Sequence, residues 1–75
     1  MAERFPIWLN HEMRTNKITA YEVAKAVKCH ESSVYKWKAG HRLPNLYVAL
    51  QIIWFFSIIN QQPIEKTIID ALIET

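Results

Sequence analysis

One cysteine, one glycine and three prolines are all that these 75 residues hold of the types that staple, loosen or break a chain. With Cys29 alone no disulfide can close within the chain, which argues against a disulfide-stapled secreted scaffold and for a cytosolic (cytoplasmic) setting. Cys29, His11, His30 and His41 do not fall into paired ligand spacing, so no metal site is expected. No nucleophile–base pair and no glycine-rich phosphate loop is present, which argues against an enzyme, a cofactor or a small-molecule ligand. Long apolar runs are also missing. Leu46 to Ile59 is the most apolar stretch, but Gln51 and Ser57 interrupt it, and a membrane span needs roughly 20 such residues. Met1 to Asn10 carries a lone Arg4 and no apolar h-region, which argues against a secretory signal.

What remains is a chain that is 51% hydrophobic and 21% charged, a composition that orders rather than one that stays unfolded. Its length suits one domain, residues 1–75, with a modest core, so self-association is the expected source of extra stability. The net charge of +2 hides an uneven distribution. Arg14, Lys17, Lys25, Lys28, Lys36, Lys38 and Arg42 face only Glu22 and Glu31 within the middle of the chain, and the flanks carry the acidic excess. A basic middle fits an anionic partner, although a solvated charged face would leave the same pattern.

No strand-like alternation or internal repeat occurs, and punctuation divides the chain into five helical segments. The first runs from about Phe5 to Asn16, with Pro6 suited to the first helical position and Phe5, Leu9 and Met13 recurring every four residues beside Trp8. The second opens at Thr19, which with Glu22 forms a capping box, and ends near Lys28; Val23, Ala24 and Val27 share a side. The third runs from Glu31 to Ala39. Its apolar content is mainly Val34 and Trp37, and Gly40 is placed to close it before Pro44. Asn45 caps a fourth helix from Leu46 to about Ser57, hydrophobic nearly all round, with Leu46, Leu50 and Ile53 expected on its core face. After Asn60–Pro63 the fifth runs from Pro63 to Glu74 on a stripe of Ile64, Ile68 and Leu72 widened by Ile69 and Ile73.

Two short helices about three residues apart, the second with a narrow apolar edge, have the layout of a helix-turn-helix. Ala24 is the small residue that lets the pair cross; Val34 and Trp37 are the anchors. The stretch from Ala24 to Pro44, with its Ala, Val27, Val34, Trp37, Gly40, Arg42 and Pro44 in order, resembles the Cro and lambda-repressor-like (XRE-type) helix-turn-helix family without a gap. The resemblance covers about Phe5 to Ser57. It departs in two places: Lys28 stands where the family usually has Gly, and His30 where the cap is usually Ser or Thr. Lys28 is therefore expected at positive φ, at a cost of roughly 1 kcal/mol.

The resemblance implies an all-α, compact five-helix lambda-repressor-like DNA-binding domain, its helix-turn-helix at about residues 20–39. Carried over by position, it directs Glu31, Ser32, Tyr35 and Lys36 to base edges in the major groove of double-stranded DNA. Thr19, Ala20, Ser33, Lys38, His41, Arg42 and Asn45 are expected on the sugar–phosphate backbone. Glu31 could instead serve its helix dipole, and the remaining residues could be ordinary surface. Trp37 reads as core. Trp54, Phe55, Ile64, Ile68 and Leu72 are more apolar surface than one small core requires; a symmetric homodimer, or simple packing within the chain, would cover them. The function expected is a DNA-binding transcriptional regulator, a repressor acting on a palindromic operator. The alternatives are an antitoxin-type autorepressor with a toxin partner, and a protein-interaction module on the same fold.

Overall fold

Phe5, Trp8, Leu9 and Met13 put one apolar stripe along α1 (Arg4–Asn16), and all four are buried. The computed structural model describes residues 4–73, and among them there are five helices and no strand. Pro6 lies in the first turn of α1, where a missing N–H removes no helical bond. Helix α2 (Ala20–Val27) follows the capping box foreseen for Thr19 and Glu22 and buries Ala20, Val23, Ala24 and Val27. Helix α3 (Glu31–Ala39) buries only Val34 and Trp37. Helices α4 (Leu46–Ile59) and α5 (Ile64–Ile68) complete the set, and α5 passes into a π-helical turn over Ile69–Ile73. The whole measures 28 × 23 × 22 Å. None of the described helices is long and apolar enough to cross a membrane.

One core joins the helices. Leu9, Val23, Val34, Ile52, Ile53 and Phe56 are its fully enclosed large side chains. Trp8 meets Phe56 edge-on with centroids 5.6 Å apart, which locks α1 to α4. The most extensive helix–helix contact is α2 with α3. Polar ties work at the ends: Asn60 Nδ2 donates to Glu12 Oε1 (2.6 Å), and Arg4 Nε donates to the Asp70 carbonyl (2.7 Å), fastening the π turn to α1.

The rotation of α4 differs from expectation. Its buried face is Ala49, Ile52, Ile53, Phe56 and Ser57, whereas Leu46 is 68% and Leu50 37% exposed. A helix without a polar side gives no sequence cue to rotation. Here the small Ala49 and Ser57 mark the face that closes on the core, and the Ser57 hydroxyl is satisfied by the Trp54 carbonyl at 2.7 Å. The C-terminal stripe is corrected in the same way. Thr67 and Ala71 lie deepest, Ile68 and Leu72 are half-buried against the core, and Ile64, Ile69 and Ile73 are exposed. Its expected end at Glu74 lies outside the described residues. Of the five residues expected at a dimer surface, Phe55, Ile68 and Leu72 thus pack against their own chain, and Trp54 and Ile64 stay exposed.

Four helix ends close alike. Lys17, Lys28, Gly40 and Gln61 adopt positive φ (57°, 58°, 78° and 55°). The following residue's N–H reaches back in each case: Ile18 to Met13 O, Cys29 to Ala24 O, His41 to Lys36 O and Gln62 to Ser57 O, at 2.9–3.1 Å. This pattern satisfies carbonyls that the helix leaves free. Only one of the four positions has glycine, and the other three hold side chains in the left-handed region. Lys28→Gly is therefore expected to raise stability by about 0.5–1 kcal/mol, a gain in Tm of roughly 2–8 °C. Gly40→Ala should cost only that backbone strain, because an added Cβ would meet nothing closer than Pro6 Cγ at 3.9 Å. Thermal unfolding of the two variants checks both signs.

Candidate nucleic-acid interface

Two side-chain devices and one backbone turn hold α3 in place besides its buried edge. At its start, His30 is the N-cap: its Nδ1 accepts the Ser32 backbone N–H (3.1 Å) and lies 2.9 Å from Ser32 Oγ. The imidazole performs through a ring lone pair the task that Ser or Thr usually performs at a cap. At its end, Asn10 Nδ2 donates to both the Pro6 and the Lys38 carbonyl at 2.8 Å, linking the first turn of α1 to the last of α3. Ahead of His30, the left-handed Lys28 turns the chain so that only Lys28, Cys29 and His30 separate α2 from α3.

The outer side of α3 is consequently open. Ser32, Tyr35 and Lys36 are exposed and Glu31 is half-buried. Glu31 and Tyr35 form one unit, the phenol donating to Glu31 Oε2 at 3.3 Å, and Lys38 Nζ sits 5.8 Å from the Tyr35 ring centroid. That cation–π contact keeps a positive charge beside the Tyr35 ring on this face. Ser33, Lys36, Arg42 and Asn45 gather around one open hollow of about 450 Å³ with Trp37 and Leu43. Glu31 and His30 border a second, of about 340 Å³, with Tyr21, Lys25 and Cys29. His41 is exposed just past the end of α3, and Thr19 and Ala20 line neither hollow.

Thr19 keeps its capping role, and that role occupies the groups it would offer to a phosphate. Its N–H donates to Glu22 Oε1 (2.8 Å) and its Oγ1 accepts the Glu22 N–H (3.1 Å). Both groups are occupied, and the Glu22 carboxylate already supplies the negative charge that the α2 N-terminus favours. Ala20 is buried, which leaves its backbone amide as the only group it could offer a phosphate. Asn45, in contrast, caps α4 through Oδ1 to the Val48 N–H at 2.9 Å and still borders the hollow.

The cations of this face form no ion pair with the described residues. Among the described residues the one ion pair is Lys66 with Asp70 (3.6 Å), far along the chain from this face. Lys25, Lys28, Lys36 and Arg42 are exposed with no acidic partner there. Tyr21, Lys25 and Leu43 border the hollows although sequence reasoning did not select them. Tyr21 and Lys25, four apart on the exposed side of α2, carried a readable cue in that spacing. Asn10 carried none, since its second partner is 28 residues away.

Replacing His30 by Ala should lower stability by about 1 kcal/mol, whereas His30→Ser or His30→Asp should retain or exceed the parent value. Denaturant unfolding checks this, and an unchanged midpoint for His30→Ala would show the cap to be idle. Among known proteins, no family model, curated protein or solved structure matches this chain.

Proposed function

We propose that this protein is a sequence-specific double-stranded DNA-binding transcriptional regulator, a Cro/lambda-repressor-like protein whose helix-turn-helix is α2 and α3. The observation that carries the reading is the division of α3. Two of its nine residues are buried, and Ser32, Tyr35 and Lys36 point to solvent with uncompensated cations on either side. A nine-residue helix is ~14 Å long and 10–12 Å across, a fit for a major groove about 12 Å wide.

In this reading α3 enters the groove. Lys36 donates to guanine O6 and N7, Ser32 reads either donor or acceptor, and Glu31 accepts from cytosine N4. The Tyr35 ring packs on a thymine methyl. Arg42, Lys38, His41, Ser33 and Asn45 hold the phosphates that flank the groove and set the register without reading sequence. Lys25 joins them from α2. The domain acts as a homodimer, because one α3 covers few base pairs and two copies spaced by about 34 Å read a palindrome. No cofactor or catalytic step is part of the mechanism.

A second reading, a protein-interaction module, is favoured by one feature: the Glu31 carboxylate on the same face, which repels phosphate. Binding of duplexes selected from a random pool, measured at two salt concentrations, separates the two. Affinity is expected to fall steeply with salt as counterions are released. Lys36→Ala should cost about 1–3 kcal/mol at one base pair and relax preference there. Arg42→Ala should weaken every duplex alike and lower the salt slope by about 1. No selected duplex, or equal losses for both variants on all duplexes, would overturn these assignments.

A further inference from the structure

Helix α4 has no charged residue, and its outer side is a continuous apolar ridge. Leu46, Leu50, Trp54 and Ile58 follow one another at four-residue intervals with exposures of 68, 37, 58 and 56%, and Tyr47 (72%) stands beside them. From the sizes of these side chains the ridge presents on the order of 600 Å². That is at the upper limit of what a monomer leaves open and close to the ~800 Å² each partner contributes to a standard interface.

We infer that the occupant of this ridge is a second copy of the chain, packed α4 against α4 about a two-fold axis between Leu50 and Trp54. The inference rests on the homodimer of the proposed function and names its surface. Three observations select a second copy. The ridge lacks charge throughout, so a like surface meets it without an unpaired ion. Its area is near that of a stable pair. Its relief is also self-complementary: an antiparallel two-fold sets Leu46 opposite the partner's Ile58, and the recessed Leu50 opposite the partner's protruding Trp54. Ridges of residues four apart interlock at a crossing angle of about −50°, the commonest arrangement of packed helices. The interface therefore lies on α4 and excludes Ile68 and Leu72, which their own chain already covers in part.

Trp54 reports on its own burial, because Trp8 and Trp37 are 4% and 5% exposed and Trp54 is the one tryptophan open to a quencher. The intact protein is examined by sedimentation equilibrium and by acrylamide quenching across a dilution series. A dimer whose Trp54 becomes quenchable on dilution is expected. Trp54→Arg and Leu50→Arg should each weaken association on the order of 100-fold with unchanged far-ultraviolet circular dichroism. Ile7→Arg, an equally exposed apolar site on α1, should leave it intact. A parent chain that stays monomeric overturns the inference. So does a Trp54→Arg or Leu50→Arg protein that still dimerises with parental affinity. In a monomer, a shielded Trp54 would place the chain's own ends on the ridge, and an open one would leave it to another protein. A dimer that binds no duplex keeps this inference and removes the DNA reading; a monomer that binds single half-sites does the reverse.

Discussion

The position of α3 depends on two side chains. Val34 and Trp37 are its only buried residues, and burying a pair of this size contributes about 3–6 kcal/mol. A domain of 75 residues has a total stability of about 4–11 kcal/mol, so this grip is a large share of the whole. A helix of nine residues would not persist alone in water. Everything that makes its outer side available, the open hollows and the exposed lysines, follows from confining its attachment to one narrow edge.

A narrow edge fixes position poorly against rotation about the helix axis, and the polar ties supply that constraint. His30 fastens the first turn and Asn10 the last, and each accounts for a backbone group that would otherwise lack a partner. The left-handed Lys28 and Gly40 bracket the same helix and direct the chain away sharply at both ends. With so little glycine in the sequence, Lys17, Lys28 and Gln61 take conformations that cost roughly 1 kcal/mol each. At Lys17 and Lys28 packing tolerates that strain because the turn also places a half-buried residue, Ile18 or Cys29, against the core.

Much of this was legible in the sequence wherever a polar pattern broke an apolar one. The helices α1 to α3, the caps of α2 and α4 at Thr19 and Asn45 and the closure of α3 at Gly40 all follow from local chemistry between residues two to five apart. The positive φ of Lys28 was expected from its place in the short turn between two helices, where a glycine is usual. Legibility failed on α4 and α5. Periodicity needs contrast, and a helix made of Leu, Tyr, Val, Ile, Trp and Phe offers none, so Leu46 and Leu50 were assigned inward and lie outward. On the C-terminal segment the buried face is rotated by one residue from the large aliphatic stripe, so that the small Thr67 and Ala71, four apart, lie inward past larger neighbours. At the candidate site the residue types were readable, but their engagement was not. That Glu22 occupies Thr19, or that Asn10 reaches Lys38, is a property of the folded arrangement.

Economy of size ties the two faces of the molecule together. With one cysteine no disulfide closes within these 75 residues, and a small core draws extra stability from its neighbours. The core already uses one side of α4, and the other side is as apolar as the first. In the proposed pair, association adds burial that a single chain lacks, and folding becomes linked to protein concentration. Pairing through α4 also fixes the mutual distance of the two α3 helices by contacts between rigid helices, since loops of a few residues connect them. A regulator that reads two half-sites needs that fixed distance. The same uncharged helix that left the sequence ambiguous is thus the element able to set it.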